Sequence, residues 1–176
     1  PPLFSRLLRH TRLVSDWSST CALPILSVGH INVRSLSLHY GDVKEYTQIN
    51  AMDVLCISES HVSDYMRYQI PNYTLFHSAG KHGCAIYSRI PVLHNFATST
   101  PFEAVVVLLH LSTIVCVYIP PKTSFAQIQS FFQDLLMECK NVLMPLHHCE
   151  TLYVTGDFNR SEEHTSELQS LTNLVC

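Results

Sequence analysis

The sequence predicts a single α/β domain in which helices cover sheets that are buried on both faces. The chain has 176 residues, the size of one domain, and 47% of them are apolar, which suffices for a substantial core. Short apolar runs rich in valine and isoleucine outnumber helical patterns, as expected for buried strands. One strongly amphipathic stretch predicts a helix that lies on a sheet.

The first part of the chain reads as a strand, a helix and a second strand. Residues 27–33 alternate well enough for a strand, and residues 43–50 predict a helix because Val43, Tyr46 and Ile49 recur at three-residue spacing. Residues 53–58 are nearly all apolar and predict a strand buried on both faces.

The middle of the chain predicts further strands. Gly80 and Gly83 mark a turn, a strand is expected over residues 84–88, and Pro91 opens another segment. Residues 103–111 and 113–119 predict neighbouring strands, and Pro120 stops the second. The longest apolar run, residues 104–119, is shorter than a bilayer-spanning helix requires, so we expect no membrane segment.

The clearest helix begins after Ser124. Ser124 as N-cap and Gln127 three residues later form a capping-box pattern, and Pro145 is expected to end the helix. A last strand is predicted over residues 152–155. The apolar stripe of the helix consists of Phe125, Ile128, Phe132, Leu135, Leu136, Cys139 and Leu143.

Charge and cysteine content limit the function classes. The net charge is −3 and the pI is about 6.4, so no global basic field indicates a nucleic-acid surface. If the domain meets a phosphodiester, a bound cation must supply much of the positive charge. Seven cysteines without regular spacing do not form a disulfide framework, which favours an intracellular, reducing compartment. Residues 1–12 are basic but lack a signal-peptide cleavage site.

Both ends of the chain look foreign to the domain. Residues 160–170 match the frame translation of a common short-read sequencing adapter, and residues 16–19 and 20–25 resemble its reverse complement in two frames. The alternative for the C-terminal stretch is an ordinary polar helix. We therefore predict that residues 26–159 are a partial native domain, and that residues 1–25 and 160–176 are assembly artefact.

Polar side chains follow the predicted strands at the points where the strands end. Asn32 follows the first, Glu59 the second, and Asp157 and Asn159 the last, while Tyr118 lies near the end of a fourth. A hard divalent cation such as Mg²⁺ binds oxygen ligands and retains waters, so one or two carboxylates suffice. Glu59 is the best candidate ligand, and Asp157 could position or deprotonate an attacking water.

Each of these residues also has a structural interpretation. Asn32 alone is more often a turn or cap residue, Glu59 could be a first-turn acid, and Asp157 could be an N-cap. Tyr118 alone is most often a half-buried aromatic on a strand. What favours a functional site is the ordered set. His30 and the other single histidines are expected in packing or surface roles, and residues 147–149 lack the partner pair that a zinc site requires.

Five short motifs, in order, are similar to those of the endonuclease/exonuclease/phosphatase superfamily. They are residues 31–36, 53–61, 83–87, 117–121 and 156–159. The first and fourth resemble most closely the branch found in LINE-type (non-LTR) retrotransposons. The resemblance covers essentially all of residues 26–159.

The resemblance implies a fold and an activity. The fold is a DNase-like four-layer αββα sandwich, here C-terminally truncated, and the activity is Mg²⁺-dependent phosphodiester hydrolysis, with Mn²⁺ as the alternative metal. In the retrotransposon branch the enzyme nicks chromosomal DNA to prime a following reverse-transcriptase domain, so the full-length parent is expected in the nucleus.

The resemblance also implies roles for the five residues. Glu59 would be the metal ligand and Asn32 its neighbour at the metal. Tyr118 would contact the phosphate, Asp157 would orient the nucleophilic water, and Asn159 would stabilise the pentacovalent phosphorus.

Three departures from the family pattern bear on activity. Arg34 replaces an acid found in many relatives, as it often does in retrotransposon members, and Ile119 replaces a common arginine of that branch. The C-terminal part with a further Asp and a Ser-Asp-His motif is absent, which predicts an inactive fragment of an active parent. The alternatives are a phosphatase or lipid phosphodiesterase of the same superfamily, and a decayed or non-catalytic binding domain.

Overall fold

The computed structural model describes residues 26–143 and 151–159, which contain eight strands and two α-helices. A single turn of 3₁₀ helix, Tyr65–Arg67, lies between the second and third strands. The helices are α1 (Leu36–Asn50) and α2 (Phe125–Leu143). The strands are β1 (Val28–Asn32), β2 (Val54–Ser58), β3 (Thr74–His77), β4 (Ala85–Ser88), β5 (His94–Thr98), β6 (Glu103–Leu108), β7 (Ser112–Tyr118) and β8 (Thr151–Asp157).

The strands of the described residues form two four-stranded sheets. The first has the order β1-β2-β4-β3 and the second the order β5-β6-β7-β8. Each sheet contains one parallel pair, β1 with β2 and β7 with β8, and the other pairs are antiparallel. Helix α1 connects the first parallel pair and helix α2 lies between the strands of the second, as parallel strands require a crossover connection.

Three apolar clusters define four layers. On one side, Val43 and Tyr46 of α1 pack against the first sheet. On the other, Ile128 and Phe131 of α2 pack against the second sheet. Between the sheets a third cluster joins residues such as Cys56 of β2 to residues of β6 and β7. The layers are therefore helix, sheet, sheet and helix, which confirms the predicted αββα sandwich.

The second helix begins as predicted, whereas the first helix is longer than predicted. The capping box of α2 is present, with the Gln127 N–H donating to Ser124 Oγ at 3.3 Å and the Ser124 N–H donating to Gln127 Oε1 at 3.0 Å. Helix α1 begins seven residues earlier than predicted, because Leu36 is fully buried and its N–H donates to the Ser60 carbonyl at 2.7 Å.

The sequence predicts no strand at β3, and near β5 it predicts only that a new segment begins at Pro91. Both are edge strands with exposed residues, so their sequences lack a continuous apolar run. The predicted end of α2 at Pro145 and residues 147–149 lie outside the described residues, as do residues 1–25 and 160–176. Within residues 26–143 and 151–159, no helix combines the length and apolar character that a bilayer crossing requires.

Candidate active site

The two sheets meet at the ends of β1 and β8. Asn32 Nδ2 donates a hydrogen bond to Asp157 Oδ2 at 2.6 Å, which links the last residue of β1 to the last residue of β8. Asn32 Oδ1 accepts a hydrogen bond from the Arg34 N–H at 3.1 Å, which fixes the amide orientation. The structure thus brings together two of the predicted site residues, which are 125 positions apart in the chain.

Glu59 lies directly after the fully buried strand β2. Its backbone is left-handed, with φ of 54°, a conformation that costs a non-glycine residue free energy and is found at functional turns. The residue after Glu59 is fixed to the turn before β4, because the Ser60 N–H donates to the Gly83 carbonyl at 3.1 Å. Glu59 itself is half-buried, and its negative charge acts on Tyr118.

Tyr118 lies close enough to Glu59 and Asp157 for their charges to act on its hydroxyl. It is the last residue of β7 and is paired in register with Asp157 on β8. Burial, followed by the negative charges of Glu59 and Asp157, raises the pKa of Tyr118, whereas a hydrogen bond with the Asn159 side chain lowers it. The hydroxyl therefore remains protonated at neutral pH and can donate a hydrogen bond to an anion.

The turn after β8 holds Asp157 and Asn159 in fixed positions. The Asn159 N–H donates to Asp157 Oδ1 at 3.0 Å, and Asn159 Nδ2 donates to the Ile119 carbonyl at 3.0 Å. Gly156 has φ of 150°, and a Cβ there would overlap the Val117 carbonyl, so the close approach of β8 to β7 requires glycine. All five residues predicted for the site therefore lie at one end of the two sheets.

Two histidines at the site were not predicted to take part. The His82 ring stacks on the Tyr118 ring, with centroids 4.4 Å apart and an interplanar angle of 22°. His30 Nε2 is 3.0 Å from Ser58 Oγ, and burial lowers its pKa to about 4 against the opposing charge of Asp157. His30 precedes Asn32 by two residues, so the alternation of β1 could have placed both on one face.

The donor atoms of the site fit a hard divalent cation. The carboxylates of Glu59 and Asp157 and the amide of Asn32 offer oxygen ligands, the type that Mg²⁺ and Mn²⁺ prefer. The described residues contain no cluster of three or more His, Cys, Asp or Glu side chains that could hold a metal. Mg²⁺ commonly keeps several water ligands, so the few protein oxygens of Glu59, Asp157 and Asn32 would suffice to hold it.

The fold is that of the DNase-like α/β class. The family model described as "Endonuclease/Exonuclease/phosphatase family" matches residues 29–167, and the chain belongs to this family. The superfamily resemblance of the five motifs is thereby confirmed. Enzymes of the family generally use divalent metals.

Solved structures support the same fold at low sequence identity. The 3' phosphatase NExo from Neisseria, bound to a product DNA hairpin, has a TM-score of 0.59 at 18% identity, covering 76% of this chain and 58% of that protein. A mannosyl-6-phosphatase from Bacteroides thetaiotaomicron has a TM-score of 0.62 at 14% identity, covering 80% and 68%. TDP2 from D. rerio, complexed with a single-strand DNA product, gives 0.60 at 16% identity, covering 86% and 67%.

The chain therefore spans somewhat more than half the length of NExo. No curated protein sequence matches the chain significantly. At these identities the structural neighbours establish the fold, and the substrates in their names differ from one another.

Proposed function

We propose that this chain is part of a metal-dependent DNA-nicking endonuclease of a LINE-type retrotransposon. The observation that carries the proposal is the contact between Asn32 and Asp157 across the two sheets, beside the half-buried Glu59 and the Tyr118 hydroxyl. Two carboxylates, an amide and a phenol at one end of the two sheets match the needs of phosphodiester hydrolysis, which requires an oriented water and stabilisation of phosphorus-borne charge.

Each side chain has a task in this reaction. Asp157 orients and deprotonates the attacking water, and Asn32 holds the Asp157 carboxylate through the 2.6 Å hydrogen bond. Tyr118 donates a hydrogen bond to a non-bridging phosphate oxygen, because its raised pKa keeps the phenol protonated. Asn159, which lies beside the Tyr118 hydroxyl, stabilises the developing negative charge without adding a charge of its own.

Glu59 and Asn32 are the residues that would hold the divalent cation. Mg²⁺, or Mn²⁺ in its place, supplies the positive charge that a chain of net charge −3 does not offer to a phosphodiester. Two features of the sequence support the retrotransposon branch, namely the Asn32 to Leu36 motif and the two prolines after Ile119. In that setting the parent protein acts in the nucleus on chromosomal DNA, with a reverse-transcriptase domain on the same chain.

The branch is tested by reading the genomic DNA beyond the codon for Asn159. We expect an open frame that encodes a Ser-Asp-His motif and then a reverse-transcriptase domain. A stop codon, or a long frame with neither feature, would contradict the retrotransposon assignment while leaving the family membership intact.

The chemistry is tested by nicking of supercoiled plasmid with Mg²⁺, using the chain extended through that frame. We expect Glu59→Ala to lower the nicking rate by about 10²-fold or more, because the metal loses its carboxylate ligand. The exposed Glu138→Ala on α2 is the matched control and should nick at the wild-type rate. Equal nicking by Glu59→Ala and wild type would refute the role of Glu59. Faster hydrolysis of a phosphomonoester than of DNA would instead favour the phosphatase alternative.

A further inference from the structure

A third carboxylate, that of Glu103 at the start of β6, lies buried beside the site. Glu103 is 7% exposed, and its carboxylate accepts hydrogen bonds from the backbone of the turn before β4. Glu103 Oε1 accepts a hydrogen bond from the His82 N–H at 2.8 Å, and Oε2 accepts one from the Gly83 N–H at 2.6 Å. Hydrogen bonds from N–H groups to a carboxylate are about twice as strong as those between neutral groups, so this contact fixes the turn firmly.

The turn is shaped to receive this carboxylate. A Cβ at Gly80 would overlap the Glu103 carboxyl group, so only glycine leaves the space that the side chain fills. The turn is closed by Ser78, whose N–H donates to the Cys84 carbonyl at 2.9 Å and whose Oγ accepts from the Cys84 N–H at 2.9 Å. Ser78 Oγ also lies 3.5 Å from Glu103 Oε2. Since burying an unpaired charge is costly, these hydrogen bonds stabilise the buried carboxylate and fix the turn around it.

The turn contacts the candidate site through the His82 ring. That ring stacks on Tyr118, and Glu103 is the register partner of Tyr118 on the neighbouring strand. The Glu103 carboxylate therefore fixes the backbone of His82. The His82 ring in turn covers the ring of Tyr118, which pairs with Glu103 across the sheet. Stacking leaves the Tyr118 ring fewer orientations, which directs its hydroxyl toward the site charges.

The same turn also supports the loop that carries Glu59. The Ser60 N–H donates to the Gly83 carbonyl at 3.1 Å, and the His61 N–H donates to the His82 carbonyl at 2.9 Å. His61 and His82 rings meet edge to face, with centroids 5.6 Å apart. One turn thus borders both Tyr118 and the loop after β2.

We propose that Glu103 is a positioning residue of the phosphodiesterase site, acting through His82 on Tyr118. The inference rests on the proposed function and extends it to residues outside the five of the motif set. Glu103 touches neither substrate nor metal in this proposal. Its carboxylate holds the turn, the turn holds the His82 ring, and the ring holds the Tyr118 hydroxyl at the phosphate.

The first test measures positioning without catalysis, in the 176-residue chain. Nuclear Overhauser effects between the His82 and Tyr118 ring protons report the stack. We expect them in the wild type, and we expect Glu103→Gln to weaken them at least about twofold, because glutamine replaces one of the two accepting oxygens with an NH2 group that cannot accept an N–H. The exposed Glu138→Gln makes the same chemical change and should leave them unaltered. Unchanged ring contacts in folded Glu103→Gln would overturn the proposal.

The second test is a double-mutant cycle in plasmid nicking by the extended chain. We expect Glu103→Gln to lower the nicking rate about tenfold, since a small displacement of a substrate-contacting group costs catalysis. In a His82→Ala background, Glu103→Gln should have little further effect on the nicking rate. Compared with His82→Ala, His82→Phe should have most of the wild-type rate, because phenylalanine restores a stacked ring. Additive losses, or no rescue by phenylalanine, would mean that Glu103 acts on overall stability and not through His82.

The two tests separate the failure of this proposal from the failure of the proposed function. If no protein nicks DNA, including the wild type, the endonuclease assignment fails, and the ring contacts alone decide whether Glu103 positions Tyr118. If the wild type nicks and the ring contacts survive Glu103→Gln, the positioning role is wrong while the endonuclease assignment stands.

Discussion

The strands that deliver the site residues fall into two kinds. Strands β2 and β7 are buried at every position, whereas β1 and β8 are mostly half-buried and lie at the edges of the sheets that the described residues form. Glu59 and Tyr118 come from the buried pair. Asn32 and Asp157 come from the half-buried pair, and the 2.6 Å hydrogen bond between them joins the sheets.

This difference in burial indicates that the two pairs of site residues are held in place by different interactions. A buried strand is packed on both faces, so its last residues are held by the core. A half-buried edge strand has fewer packing partners, and the side chains at its end depend more on hydrogen bonds to keep their positions. We therefore expect substitutions at the ends of β1 and β8 to affect activity much more than stability, and substitutions within β2 and β7 to affect stability first.

Replacing Asp157 should have the largest effect. Asp157→Ala removes the carboxylate that orients the attacking water in the proposed reaction, and it removes the acceptor of the Asn32 hydrogen bond. We expect plasmid nicking by the extended chain to fall by about 10³-fold. The free energy of unfolding of the 176-residue chain should fall by only about 1 kcal/mol, because β8 is half-buried there.

Asp134→Ala is the control, since Asp134 is an exposed carboxylate on α2. It should leave both nicking and urea unfolding near wild type. A loss of more than about 3 kcal/mol in Asp157→Ala would show that the edge strands are held as tightly as the buried ones.

The buried strands were the part of the fold that the sequence made predictable. Their apolar runs have well-defined ends, and this placed Glu59 and Tyr118 correctly at strand termini. The order of the five motifs added the family, which the match to residues 29–167 confirms. The roles of the five residues remain predictions, since they depend on a substrate and a metal.

The features that escaped prediction depend on contacts between distant segments. The sequence predicts only that Glu103 begins a strand, because nothing in its local sequence indicates that its carboxylate accepts hydrogen bonds from two N–H groups of a turn about 20 residues earlier. The sequence predicts only that His82 lies in the turn between Gly80 and Gly83, because its stacking on Tyr118 requires both sheets to be in place. Helix α1 extends to Leu36 because Leu36 is buried, which spacing alone did not reveal.

His30 offers a test of the half-buried strand β1 through pH. Burial lowers its pKa to about 4, below the value of 6.5 for an unperturbed histidine. Between these values the unfolded chain binds a proton that the folded chain does not, so the contribution of His30 to stability is complete above pH 6.5 and is lost as the pH falls to about 4. We expect His30→Gln to make the folded protein less sensitive to acid over this range, by on the order of 2 kcal/mol.

Urea unfolding of wild type and His30→Gln at about pH 7 and about pH 4.5 measures this effect. His94→Gln on β5 removes an exposed histidine in place of the half-buried His30, and it serves as the control. If wild type and His30→Gln lose the same stability on acidification, β1 is open enough for His30 to remain solvated.

The smallest expected effect comes from two valines that face each other in register. Val115 on β7 is fully buried and Val154 on β8 is partly buried, and both belong to the apolar cluster under α2. Each Val→Ala change removes two methyl groups. The two variants therefore make the same chemical change at neighbouring positions and differ only in how deeply the valine is buried. We expect Val115→Ala to cost about 2 kcal/mol and Val154→Ala about 1 kcal/mol in urea unfolding of the 176-residue chain. Equal costs would mean that the two strands are equally well packed, and the asymmetry between the strands that deliver the site would then lie in hydrogen bonding alone.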